Sequence, residues 1–147
     1  MKNSNEWHRL RENICSASNW LNTGIRSFLK PYGITQKQYN ILTILESHKE
    51  ELAMTILDVR EKMIDRMSDA SRIIDRLEIK GLILKKPCTM DKRANRVYLT
   101  DHGKSLLGSI HKNRASLDAI TNRISLEEAK QLSVLLEKVQ SQKLEVA

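Results

Sequence analysis

The chain has 147 residues, 40% of them apolar and 29% charged, and its 25 Lys and Arg against 18 Asp and Glu give a formal charge of +7 and a pI near 9.5. This length suits one domain with room for an oligomerisation appendage, which buries about 68–70% of its unfolded surface without a metal or disulfide staple. Two cysteines exclude a disulfide framework, five glycines and two prolines exclude collagen-like and low-complexity chains, and no run approaches the roughly 18 apolar residues of a membrane span. The expected setting is the reducing cytoplasm, without membrane association; the basic balance permits an anionic partner, but net charge alone does not choose between nucleic acid and a membrane surface.

Helical spacing opens the chain. Leu10, Ile14, Ala17, Leu21, Ile25 and Phe28 recur every three or four residues, so a long amphipathic helix is expected over 6–29, closed by Pro31 and Gly33. Thr35, with Gln38 three residues on, has capping-box spacing and starts a second helix whose apolar side holds Tyr39, Leu42 and Leu45. After the polar connection 46–53, Thr55 caps a short third helix reaching about Met63, with Ile56, Val59 and Met63 inward. A fourth helix, from about Ser68 to Lys80, turns Ala70, Ile73, Ile74 and Leu77 inward and stops at Gly81. Two β-prone runs follow, Leu82-Ile83-Leu84-Lys85-Lys86 and Val97-Tyr98-Leu99, separated by a polar loop. They predict a two-stranded ribbon with a basic tip. Thr100 caps a fifth helix with the stripe Leu106, Ile110, Leu117, Ile120 and Ile124. Ser125 and Glu128 form another capping box, opening a last helix with Leu132, Leu135 and Val139 on one side.

The fold class is therefore mainly α: six helices plus a two-stranded wing. A winged helix-turn-helix lobe over 35–100 lies between a dimerisation helix in 1–34 and dimerisation helices in 101–147. The outer helices carry more apolar surface than one small lobe covers, so a homodimer is expected.

The fourth helix and the ribbon carry the functional signal. With its apolar side inward, that helix presents Ser68, Asp69, Ser71, Arg72 and Arg76 outward. Short polar side chains followed by an arginine one turn later suit the major groove of double-stranded DNA, where a guanidinium forks onto a guanine edge. The ribbon adds Lys85, Lys86, Lys92, Arg93 and Arg96 against the single acid Asp91. Such a tip suits phosphates or the narrow minor groove, and Asp91 is expected to hold a guanidinium by a charge-assisted hydrogen bond. His8, His48, His102 and His111 show no metal-ligand spacing. No nucleophile–base pair or phosphate loop occurs, so neither an enzyme, a metal nor a cofactor is expected.

These residues carry a resemblance. The run DRLEIKGLILKKPCTMDKRANRVYLTDHG resembles the MarR/SlyA family of bacterial transcription regulators. It shows the D-R-L-E-x-x-G-L end of the recognition helix, the D-x-R wing motif as Asp91-Lys92-Arg93, and L-T-x-x-G as Leu99-Thr100-Asp101-His102-Gly103. Gly33-Ile34-Thr35-Gln36-Lys37-Gln38-Tyr39 is similar to the family's G-[LI]-T-x-x-Q-[WY] helix start. The resemblance implies a homodimeric winged helix-turn-helix regulator, usually a repressor, released in many members by a small aromatic or phenolic ligand and in some by cysteine oxidation. The segment before the recognition helix departs from the family pattern, which leaves the start of the fourth helix open and makes Arg66 and Met67 turn residues rather than base readers. A ligand pocket would fall where the first two helices meet, lined by Asn19, Trp20, Thr23 and Tyr39, although core packing is the simpler reading of those aromatics. Cys15 is expected to be buried and inert. Cys88, beside Lys85 and Lys86, is the redox candidate. Two alternatives stand beside the regulator: a redox sensor using the same DNA site, and a helical dimer whose basic wing meets an acidic protein.

Overall fold

A computed structural model describes residues 2–48, 53–87 and 95–141. Among these residues, seven α-helices and three strands run in the order α1 (Lys2–Leu29), α2 (Gln36–Ser47), β1 (Met54–Thr55), α3 (Ile56–Lys62), α4 (Ala70–Ile79), β2 (Ile83–Pro87), β3 (Asn95–Leu99), α5 (Asp101–Lys112), α6 (Arg114–Asp118) and α7 (Leu126–Gln140). A single 3-10 turn, Lys30–Tyr32, joins α1 to α2, and Gly33 leaves it at φ 69°.

The helix starts are set locally. Thr35 Oγ1 accepts from the Gln38 N–H at 3.1 Å while Gln38 Oε1 accepts from the Thr35 N–H at 3.1 Å. The same reciprocal pair forms at Thr55 with Asp58 and at Ser125 with Glu128. Thr100 caps α5 by accepting from the Gly103 N–H at 3.1 Å. Each such cap satisfies otherwise orphaned amides and stabilises its helix by about 0.5–2 kcal/mol. They also hold carboxylates ionised: Asp58 and Glu128 both lie below the usual carboxylate range, chiefly because their caps' backbone N–H groups donate to them.

One apolar core joins the middle of the chain. Leu29, Ile41, Leu42, Val59, Ile74, Leu77, Ile83, Leu107 and Ile110 are fully buried in it. It is built by α2, α3, α4, the sheet and α5, with only the end of α1 entering. Of the inward faces expected of α3 and α4, Val59 and Met63 on and beside α3 and Ala70, Ile74 and Leu77 on α4 are buried, while Ile56 and Ile73 are partly buried against the core. The outer helices are different. Helix α7 has no buried residue, and Trp7, Trp20, Leu126, Leu132, Val134, Leu135 and Val139 are exposed in the single chain. No helix is long and apolar enough to cross a membrane among the described residues.

Three expectations are corrected. The fifth helix does not continue to Ile124: it ends at Lys112, and the separate α6 follows from Arg114, so the described residues hold seven helices rather than six. The ribbon is one side of a three-stranded antiparallel sheet in the order β1-β3-β2, with Met54 opposite Val97 and Ile83 opposite Leu99. Cys15 is exposed on α1 rather than buried.

The sheet and α5 meet at one tight point. A Cβ at Gly103 would lie 2.2 Å from the Leu82 carbonyl oxygen, so only glycine permits this approach of α5 to the root of the wing. The glycine of the L-T-x-x-G motif thus has a packing reason.

Candidate nucleic-acid interface

The start of α4 is organised by Asp65. Its Oδ1 accepts from the Met67 N–H at 3.0 Å, and its Oδ2 accepts from the Ser68 hydroxyl at 3.0 Å and faces Lys37 Nζ at 3.5 Å. The Ser68 hydroxyl, then the Met67 N–H and Lys37, hold this carboxyl below the usual aspartate range. Asn40 Oδ1 accepts from the Ile64 N–H at 3.1 Å, tying the turn to α2. Asp69 then caps the helix by accepting from the Arg72 N–H at 3.2 Å.

This geometry corrects the expected outward set. Ser68 is 7% exposed and hydrogen-bonded to Asp65, so it belongs to the turn rather than the outer face. Asp69 is exposed, with its carboxylate turned to its own helix. Ser71, Arg72 and Arg76 are exposed on the side away from Ile74 and Leu77.

The wing root is fastened to α4. Lys85 is half-buried on β2. Its Nζ donates to Asp75 and lies 3.8 Å from Glu78, while its backbone N–H donates to Glu78 Oε2 at 2.8 Å. The hydrogen bond from Lys85 to Asp75 raises the ammonium above the ordinary lysine range. Lys85 is therefore a paired structural cation and not a free charge. Lys86 is exposed and stands 5.3 Å from the Tyr98 ring centroid. Arg96 is half-buried, and its guanidinium donates to the Ala53 carbonyl oxygen before β1, so it braces the sheet away from the tip. Cys88, Asp91, Lys92 and Arg93 lie outside the described residues.

At its far end α4 is held to the α1–α2 junction. Lys80 Nζ donates to the Gly33 carbonyl oxygen at 2.6 Å and to Gln38 Oε1 at 2.9 Å. Asn113 donates to the Tyr32 hydroxyl at 2.6 Å, and Gln36 to Asn22 Oδ1 at 3.1 Å. Sequence reasoning missed these cross-links because they join residues 14 to 81 positions apart.

The four residues expected to line a ligand pocket are only partly drawn together. Trp20 is 52% exposed, and the Thr23 hydroxyl donates to the Asn19 carbonyl within α1. Tyr39 is half-buried, and burial, then Glu46, raises its phenol above the usual tyrosine range. Two clefts lie elsewhere. One, about 340 Å3, is lined by Leu45, Met54, Val97 and Leu99 among others. The other, about 470 Å3, lies between α3 and the start of α4. His111 Nε2 lies 2.9 Å from both Glu46 carboxylate oxygens, linking α5 to α2. No group of three or more His, Cys, Asp or Glu that could hold a metal occurs among the described residues.

Residues 34–94 match the model of the MarR family. Solved structures share the fold over nearly the whole chain. A MarR-like transcription regulator from Bacillus cereus is 20% identical, with a TM-score of 0.80, covering 92% of this chain and 96% of that one. A mutant of Escherichia coli MarR complexed with operator DNA is 24% identical, with a TM-score of 0.80 and the same coverage. A MarR family regulator from Streptomyces coelicolor in complex with DNA is 22% identical, with a TM-score of 0.81, covering 92% of this chain and 86% of that one.

Proposed function

We infer, from a winged helix-turn-helix whose residues 34–94 match the model of the MarR family, that this chain is a homodimeric transcription regulator of that family, a repressor, that binds a pseudo-palindromic DNA site. One observation carries the reading. Helix α4 buries Ile74 and Leu77, exposes Ser71, Arg72 and Arg76, and is locked by Lys85 to the base of a basic wing. A rigid helix with an arginine-bearing outer face, joined to a basic ribbon, matches the shape and charge of a major groove flanked by phosphates. The DNA complexes of the E. coli and S. coelicolor proteins of the same fold support it.

In this reading Arg72 donates to a guanine edge, while Ser71 and Arg76 meet phosphates or neighbouring bases. The tip residues Lys92 and Arg93, steadied by Asp91, enter the flanking minor groove with Lys86. The exposed apolar faces of α1 and α7 are covered by the partner subunit, because such a surface is unfavourable in water. A small aromatic ligand seated beside Tyr39 and Trp20 would release the DNA.

Selection of binding sites from random duplexes, for the wild type and Arg72→Ala, tests the reading. The wild type should enrich two half-sites, and the variant should lose preference at one base pair in each, since a bidentate contact discriminates by about 1–3 kcal/mol. Identical motifs of equal information content would remove Arg72 from the readers. No enrichment by the wild type would remove the DNA reading.

A further inference from the structure

We propose that Met67, with Leu57 beside it, reads the 5-methyl group of a thymine in the major groove. The inference rests on the DNA-binding reading above and adds an apolar reader that charge patterning hides. Leu57 on α3 and Met67 in the turn before α4 line the 470 Å3 cleft together with Arg60, Asp69 and Ser71. Met67 is 92% exposed and Leu57 62%.

Met67 is not outward for want of structure. The Met67 N–H is held by Asp65 at 3.0 Å, the following hydroxyl of Ser68 is held by the same carboxylate, and Arg60 Nε donates to the Arg66 carbonyl oxygen at 3.5 Å. The turn therefore fixes the point from which the thioether projects, directly before the helix end that enters a groove. An apolar side chain placed there gains nothing in water. The thymine methyl is the apolar group that the major groove presents, and a flexible thioether fits such a contact well. The surrounding charge suits the same occupant. Arg60 lines the cleft, exposed Arg66 and Arg72 adjoin it in sequence, and the Asp69 carboxylate is engaged by the Arg72 N–H.

The experiment uses the full-length protein and the duplex it selects. Each thymine is replaced in turn by deoxyuridine, which keeps every hydrogen bond and removes only the methyl. Wild type should lose affinity about fourfold for each half-site altered at the contacted thymine, the effect of one buried CH2. Met67→Ala should bind the thymine and deoxyuridine duplexes equally at that position, while Met67→Leu retains the preference and so shows that the turn is intact. If no thymine in the selected site is sensitive in the wild type, or if Met67→Ala keeps the full sensitivity, the inference is overturned. If the wild type selects no duplex, the DNA-binding reading itself has failed.

Discussion

Replacing Gly103 by alanine tests how the wing is seated. The added Cβ would stand 2.2 Å from the Leu82 carbonyl oxygen and 3.2 Å from Leu99 Cδ2. The nearer neighbour is backbone of a buried residue, so no side-chain rotation relieves it. Relief requires the first turn of α5 to retreat by about 1 Å in a close-packed interior. That movement strains the hydrogen bond from the Thr100 N–H to Leu82 O, 3.2 Å long. Overpacking costs about 1–3 kcal/mol and the weakened bond about 1 kcal/mol more. At ~2–4 °C per kcal/mol for a chain of this size, the thermal midpoint should fall by roughly 5–15 °C. Circular dichroism melts at matched protein concentration measure it, since the midpoint of any self-associating chain depends on concentration. Gly108 is the internal control: it lies on the same helix, and a Cβ there would meet nothing within 4 Å, so Gly108→Ala should raise stability by up to ~1 kcal/mol. A Gly103→Ala protein as stable as the wild type would refute the packing argument.

Other perturbations separate structural charges from DNA-binding ones. Lys85→Gln should lower DNA affinity by loosening the wing from α4 while leaving the slope of log K against log salt unchanged, because Lys85 is already paired with Asp75; a flatter slope would make it a phosphate ligand. Arg93→Ala should flatten that slope by ~0.9 for each phosphate it ceases to neutralise, and an unchanged slope and affinity would remove the wing tip from the interface. Leu135→Asp should give monomer or aggregate in sedimentation, since α7 would place an unpaired charge against its partner; a dimer of wild-type strength would contradict the covered face. The Asp65 carboxyl is depressed in the folded chain, so its stabilisation is present above the unfolded aspartate value near ~4 and is lost as pH falls through the folded value. Acid unfolding of Asp65→Asn should lack that component, and a constant offset from wild type at every pH would contradict it.

Helix starts were legible in the sequence because a cap is a local event: Thr35, Thr55, Thr100 and Ser125 each satisfy an amide three residues on. What escaped depends on distant partners. The spacing of Leu117 and Ile120 continues the phase of α5, so nothing local marks the break at Asn113, whose side chain is bonded to Tyr32. Strand β1 has two residues, too few for an alternating pattern. Lys85 and Arg96 counted as free wing charges because Asp75 and Ala53, their partners, sit on other segments. Ser68 fits the outward spacing of α4, yet the helix begins after it and Asp65 draws it inward. Sequence reasoning follows charge in placing the outer face of α4, so it sets Met67 aside as a turn residue and passes over the exposed Leu57.

The central claim is that two copies of α4 address two half-sites on one face of a duplex. Half-sites read by such a dimer lie one helical turn apart, ~10 bp. Inserting about five base pairs, half a helical turn, between the selected half-sites turns them to opposite faces without altering any base the protein reads. Titration of the original and lengthened duplexes with the wild-type protein should show affinity for the second collapsing to the level of a random duplex. Equal affinity for both would contradict the paired-helix account.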